Sequence, residues 1–129
     1  MYKYKVEIIL DEEKIKKDDK YEPQVMYDYI RNMFKQFDLP EIKTEKPYHL
    51  IFTDKGRNRD YGALGKVMLD LYYSEWFLDY ALKLVWYNYV SKSVEDVIKR
   101  LDSNKRGNSQ WNKIMIHLNY QKLRNAKKP

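Results

Sequence analysis

The chain opens with a strict alternation of apolar and polar positions. Residues 2–10 carry an apolar or aromatic side chain at every second position: Tyr2, Tyr4, Val6, Ile8 and Leu10. Lys3, Lys5, Glu7 and Ile9 fall on the opposite face. A period of two predicts a half-buried β-strand. The charged segment that follows, residues 11–22, predicts a surface loop or a single helical turn.

The spacing of apolar residues then changes to that of a helix. Pro23 stands at a position suited to a first helical residue. Apolar residues recur at helical spacing up to the stop at Pro40: Met26, Ile30, Met33 and Phe37. This pattern predicts a helix over about residues 23–38. Residues 45–54 predict a second strand, and the glycines and mixed charges of residues 55–62 predict a loop.

The middle of the chain fits two periodicities. Val67 and Leu71 belong both to a helical stripe and to a strand-like alternation. The i, i+4 pair of Lys66 and Asp70 favours a helix that continues through about residue 81. Residues 83–90, which are rich in aromatic and β-branched types, predict a strand after it.

The last part of the chain predicts one more helix and one more strand. Ser93 and Asp96 resemble a capping box that opens a helix over residues 94–101. Apolar alternation favours a strand over residues 113–121. The apolar residues from Trp111 onward also fit one face of a helix, which remains the alternative there.

The predicted elements follow the order of a known α+β architecture. Apart from an extra helical or hairpin insertion around residues 60–81, the order is strand, helix, strand, strand, helix, strand. This is the split βαβ order of ferredoxin-like domains, with an antiparallel sheet and helices on one face. We therefore predict a single domain over residues 1–129, with frayed residues from about 124 to 129.

Composition and charge narrow the classes of function. The chain has no cysteine, which excludes disulfides, thiolate metal sites and cysteine nucleophiles. Residues 1–54 carry ten Lys or Arg against twelve Asp or Glu, whereas residues 55–129 carry fifteen against seven. A localised positive charge favours an anionic partner. The pattern contains no secretory or membrane-spanning segment, so we expect a cytoplasmic protein that associates with no membrane. No cofactor is expected either.

Two basic segments are candidate phosphate-binding sites. The loop at residues 55–59 combines three cations with a glycine, and the segment from Ser103 to Pro129 has seven Lys or Arg and no acid. Trp111 and Tyr120 are candidate stacking partners for bases. The predicted nucleic-acid-binding residues are Lys55, Arg57, Arg59, Lys105, Arg106, Lys113, Lys122 and Arg124.

The two histidines, His49 and His117, are the candidates for metal binding or acid–base chemistry. Nucleases of the HUH class place two histidines around one hydrophobic residue of a strand, and Pro47 stands where the first would be needed. No H-x-H or H-x-x-x-H spacing is present, so a structural or surface role is favoured for both. No catalytic or metal-binding residue is assigned.

These observations predict a small, non-enzymatic protein that associates with nucleic acid. Nineteen lysines and eight asparagines suggest an AT-rich coding sequence, typical of many low-GC bacteria and their phages, so a phage or mobile-element origin is expected. The alternative is a protein-binding inhibitor of a host nucleic-acid enzyme or defence nuclease, of the anti-CRISPR or anti-restriction kind. A metal-dependent or tyrosine nuclease is the third hypothesis.

Overall fold

The computed structural model describes residues 1–104, which form an α+β domain. The strands are β1 (Tyr4–Leu10), β2 (Glu41–Ile42), β3 (His49–Thr53), β4 (Ala81–Asn88) and β5 (Ser93–Asp96). The helices are α1 (Glu12–Asp18), α2 (Pro23–Lys35), α3 (Asp60–Tyr72), α4 (Glu75–Tyr80) and α5 (Val97–Asn104). The strands form one five-stranded sheet in the order β2-β3-β1-β4-β5. Every neighbouring pair in this sheet is antiparallel.

The predicted first strand is confirmed as the centre of the sheet. β1 pairs with β3 on one side and with β4 on the other. Its register places Val6 opposite both Phe52 and Trp86, and all three side chains are buried. The alternation along β1 therefore separates a buried face of the sheet from a half-exposed one.

The five described helices all cover the same face of the sheet, which we call the inner face. Each helix contributes at least one buried side chain to the core that this face forms: Ile15, Ile30, Leu64, Phe77 and Val97. The rings of Phe34 in α2 and Phe52 in β3 stack with their centroids 3.8 Å apart. The opposite, outer face is covered by none of the helices between Met1 and Asn104.

Most of the predicted elements up to residue 90 are confirmed. α2 begins at Pro23 as expected and ends at Lys35. The ambiguous middle of the chain is helical, in two pieces separated at Ser74, whose hydroxyl donates to the backbone oxygen of Asp70 at 2.8 Å. The second and third predicted strands are present as β3 and β4.

Residues 11–22 contain more regular structure than the predicted loop or single helical turn, because α1 spans seven residues there. The Asp11 side chain accepts a hydrogen bond from the Lys14 backbone N–H at 3.1 Å and so caps the helix. Acidic residues in its first turn and basic residues in its last turn suit the helix dipole. Burial of Ile15 then attaches α1 to the core.

The predicted capping box at Ser93 is wrong. Ser93 lies in β5, and α5 begins at Val97. Asp96 is the residue that caps the helix, since its carboxylate accepts from the Lys99 backbone N–H at 3.1 Å. Lys92 has a positive φ of 57° in the preceding turn, which allows the chain to reverse and form β5.

The ferredoxin-like detail of the prediction is not confirmed. It took a strand at residues 113–121 as the fourth strand, and that segment lies outside the described residues. β2 and β5 are additional edge strands that the pattern did not predict.

Within residues 1–104, no helix has both the length and the apolar composition needed to cross a bilayer.

Candidate nucleic-acid interface

The predicted phosphate-binding loop at residues 55–59 is held by carboxylates. Asp60 is fully buried and accepts hydrogen bonds from the backbone N–H of Lys55 at 2.7 Å and from Nε of Arg57 at 3.0 Å. Asp38 accepts from Nζ of Lys55 and from Nη1 of Arg57, which lowers the pKa of this carboxyl. Both cations are therefore engaged within the protein, and the exposed Arg59 has no such contact among residues 1–104.

Asp54 joins this loop to the start of β1. Its Oδ1 accepts from the backbone N–H groups of Lys3 at 2.8 Å and Tyr4 at 2.9 Å, and its Oδ2 accepts from that of Gly56 at 2.9 Å. Burial alone would raise the pKa of Asp54, but these backbone hydrogen bonds outweigh it and the pKa is lowered. Gly56 has a φ of +83°, which favours glycine at this turn. The loop therefore lies at the end of the sheet where β1 begins.

Tyrosine rings gather at the same end, which we call the tyrosine end. On the outer face, the rings of Tyr87 and Tyr89 are nearly parallel, at 11°, with centroids 6.3 Å apart, and Tyr2 contacts Tyr89 at 5.7 Å. On the inner side, Tyr61 packs edge-on against Tyr4 at 5.1 Å. Tyr61 is 55% exposed and Tyr89 46%. Two of these rings are therefore about half exposed to solvent.

Charges at the tyrosine end are arranged unevenly. Exposed cations there have no side-chain partner within the described part of the chain: Lys3, Arg59 and Lys92. By contrast, the acids of this end are engaged: Asp54 and Asp60 are buried and hydrogen-bonded, and Asp38 pairs with Lys55 and Arg57. The charge available to a ligand at this end is therefore positive.

A hydrogen-bonded network crosses the outer face from the tyrosine end. Glu7 in β1 accepts from the Tyr87 hydroxyl at 2.7 Å through Oε1, and its Oε2 lies 2.7 Å from Nε2 of His49. The ammonium group of Lys5 lies 4.1 Å from the centroid of the Tyr87 ring. The network thus connects three neighbouring strands, β3, β1 and β4, on one surface.

This network shifts the pKa values of Glu7 and Tyr87. Burial would raise the pKa of Glu7, but the hydrogen bonds from Tyr87 and His49, together with the nearby charges, lower it. The hydrogen bond to Glu7, followed by burial, raises the pKa of Tyr87 to about 12. The carboxylate is thus ionised and the phenol neutral near pH 7, which fixes the Tyr87 ring rather than activating its oxygen as a nucleophile.

His49 occupies a surface position in this network, with its side chain 28% exposed. Among residues 1–104 no group of three or more His, Asp or Glu side chains has the arrangement of a metal site. Sequence patterns missed Glu7 and Tyr87 because their contact depends on strand register. The available signals were that Glu7 alternates with two polar residues, Lys3 and Lys5, and that Tyr87 lies on the same face of its strand as Lys83.

The remaining predicted site residues are Lys105, Arg106, Lys113, Lys122 and Arg124, and they lie outside the described residues, as do Trp111, His117 and Tyr120. Residues 1–104 carry eighteen Lys or Arg and nineteen Asp or Glu, whereas residues 105–129 carry seven and none. The net positive charge of the chain therefore comes entirely from its last 25 residues. The tyrosine end is a local exception within a nearly neutral domain.

Comparison with known proteins found no matching family model, no matching curated protein and no matching solved structure.

Proposed function

We propose that this protein binds nucleic acid without acting on it chemically, and that the tyrosine end is the contact surface within residues 1–104. One observation carries the proposal: at this end, Lys3, Arg59 and Lys92 are unpaired among the described residues and adjoin exposed tyrosine rings. Cations attract phosphates, and aromatic faces accept bases. The basic segment from residue 105 onward adds attraction for any polyanion.

The predicted residues divide between two roles in this proposal. Arg59 contacts phosphate directly, and the predicted cations after residue 104 add attraction for the polyanion: Lys105, Arg106, Lys113, Lys122 and Arg124. Lys55 and Arg57 support the interface by holding the loop through Asp38 and Asp60. The loop in turn presents Arg59 beside Tyr61.

Titration against single- and double-stranded oligonucleotides at 50 and 200 mM salt tests this function. With about six phosphate contacts, affinity falls roughly a thousandfold between these conditions. Replacing Lys3, Arg59 and Lys92 together by glutamine removes three contacts, so the fall shrinks to about fortyfold. The matched control replaces the exposed Lys17, Lys20 and Lys99, which lie elsewhere, and leaves the same net charge.

The control separates a local site from a general charge effect. We expect the control triple variant to retain most of the affinity at 50 mM salt, while the Lys3, Arg59 and Lys92 variant loses it. Equal losses in both variants would remove the tyrosine end from the proposal. Absence of binding to any oligonucleotide at 50 mM salt would end the proposal itself.

A second candidate function is binding to a protein partner, as an inhibitor of a nucleic-acid enzyme would. Val90, at 65% exposure, lies in the β4–β5 turn next to Tyr89, and Val94, at 64%, lies in β5. Exposed apolar side chains next to an aromatic ring suit a protein interface. Co-purification of a stoichiometric protein partner, lost in a Val90→Ser and Val94→Ser variant, would favour this function over the first.

We also propose that the sheet is a variant of the ferredoxin-like split βαβ arrangement, with strands different from those predicted. The order β2-β3-β1-β4 supports this, because β3 lies between β1 and β2, which the helices α1 and α2 connect. β5 then extends one edge. An experimental structure in which residues 113–121 separate β1 from β4 would contradict it.

A further inference from the structure

We propose that the nucleic acid is single-stranded and that it crosses the outer face of the sheet, along the diagonal from Tyr89 through Tyr87 and Glu7 to His49. This inference rests on the proposed nucleic-acid binding and specifies its ligand and route. It is inferred from three features that lie along this diagonal: the parallel tyrosine rings, the hydrogen-bonded network and the lysines at both ends.

The tyrosine rings select for unpaired bases. Tyr89 is 46% exposed, and its ring runs nearly parallel to that of Tyr87. A base can stack on such a ring only when it is free of its own neighbours, and a duplex hides the faces of its bases. A flat aromatic platform on an exposed sheet therefore favours single strands over duplexes.

The network holds this platform in place before a ligand arrives. The Tyr87 hydroxyl is bound to Glu7, and the Lys5 ammonium lies against the Tyr87 ring. Glu7 is itself held by His49, and its side chain is only 17% exposed. Because these side chains are already ordered, binding costs less conformational entropy than it would on a mobile surface.

Lysines lie at the far end of the diagonal as well. A cleft of about 320 Å³ beside His49 is lined by Lys43, Lys46 and Arg31. Arg31 is committed to Asp28 and Glu41, whereas the two lysines are exposed. Lys3 provides the cation at the tyrosine end, so a phosphate backbone meets positive charge where it enters and where it leaves.

The length of the diagonal sets the size of the ligand. The two ends of the diagonal lie at Lys3 and Ile9. The backbone oxygen of Lys3 accepts from the Tyr89 N–H at 2.9 Å, and Ile9 pairs with His49. At about 3.3 Å per residue and about 4.8 Å per strand, the path is roughly 22 Å long. This length suits a single-strand site of about four nucleotides, the lower end of the range for one single-strand-binding fold.

Fluorescence anisotropy with the full chain tests the route. The probes are labelled oligo(dT) and oligo(U) of two to twelve nucleotides and a labelled hairpin duplex, at 50 mM salt. We expect affinity for single strands to rise up to about four nucleotides and then to level off, with weaker binding of the duplex. Tyr89→Ala should lower single-strand affinity by about tenfold and leave duplex binding unchanged.

Tyr61→Ala removes the exposed ring on the inner side of the tyrosine end and should cost less single-strand affinity than Tyr89→Ala. Leu69→Ala is the matched control, because Leu69 is 39% exposed and lies in α3, which covers the inner face. We expect no effect on single-strand binding from this variant and near-full binding from Tyr89→Phe, which keeps the ring. Thermal melting of each variant checks that folding is intact. A larger loss from Tyr61→Ala than from Tyr89→Ala would overturn the outer-face route.

The two proposals fail in different ways. If neither single strands nor duplex bind, nucleic-acid binding itself is wrong. If both bind and the duplex binds as tightly as a single strand of equal length, only the present inference is wrong. Lys46→Gln gives an independent check, since it should weaken binding of a tetranucleotide but not of a dinucleotide stacked at the tyrosine end.

Discussion

The two faces of β1 show how one strand serves two purposes. On the inner face, Val6, Ile8 and Leu10 are at most 1% exposed and lie in the common core with the helices. On the outer face, Glu7 takes part in a network that no described helix covers. Adjacent positions therefore differ in role, because the inner ones pack in the core and the outer ones carry a polar network at the surface.

Truncation of neighbouring residues on the two faces gives the largest expected effect. Ile8→Ala removes a fully buried side chain and should lower the free energy of unfolding by about 2–5 kcal/mol. Ile9→Ala, on the half-exposed face, should cost about 1 kcal/mol. Urea denaturation of the two variants measures both values. Equal losses would mean that the outer face is packed as tightly as the inner one.

The network on the outer face gives an intermediate effect that depends on pH. Tyr87→Phe removes the hydroxyl that donates to Glu7 and should cost about 1–2 kcal/mol near pH 7. The raised pKa of Tyr87 means that this advantage of the wild type is present below pH 10 and is lost as pH rises towards about 12. The lowered pKa of Glu7 means that the stability advantage of the wild type is also lost in acid, as the pH falls from 4.5 through the pKa of Glu7 in the folded protein.

Denaturation of the wild type and of Tyr87→Phe across this pH range measures the difference directly. A difference that stayed constant from pH 3 to pH 12 would show that the hydrogen bond is not what separates the two proteins. Glu7→Gln serves as the matched variant, because it keeps the shape of the side chain and removes the acid limb of the profile.

The unpaired cations give the smallest effect on stability. The variant with glutamine at positions 3, 59 and 92 should unfold within about 0.5 kcal/mol of the wild type, because exposed charges without partners contribute little. Urea denaturation checks this value. A loss above about 2 kcal/mol would mean that these side chains belong to the fold, and any loss of oligonucleotide binding would then have a structural cause.

Periodicity was sufficient where an element is long and one of its faces is buried. β1 and α2 satisfy both conditions, and their starts lie within two residues of the predicted ones. The strand β5 was missed because all four of its residues are polar or exposed, and its turn depends on a positive φ at Lys92, which is not a residue typical of such turns.

The candidate site was predictable only in part. Arg59 was predicted as a binding residue from its basic neighbourhood, and it lies at the tyrosine end. The engagement of Lys55 and Arg57 by Asp38 was not visible, because Asp38 is 17 and 19 residues distant in sequence. Contacts across strands, such as that of Glu7 with Tyr87, depend on a register that local composition does not encode.

The hydrogen bonds of Asp54 couple the opening of two segments that are distant in sequence. One carboxylate binds the amides of Lys3 and Tyr4, fifty residues or more away in sequence, and that of Gly56 in the following loop. Loosening of the first residues therefore breaks the contacts that hold the loop before α3, and the reverse also holds. For this reason we expect hydrogen exchange at these three amides to occur through one cooperative opening event, not through three separate local ones.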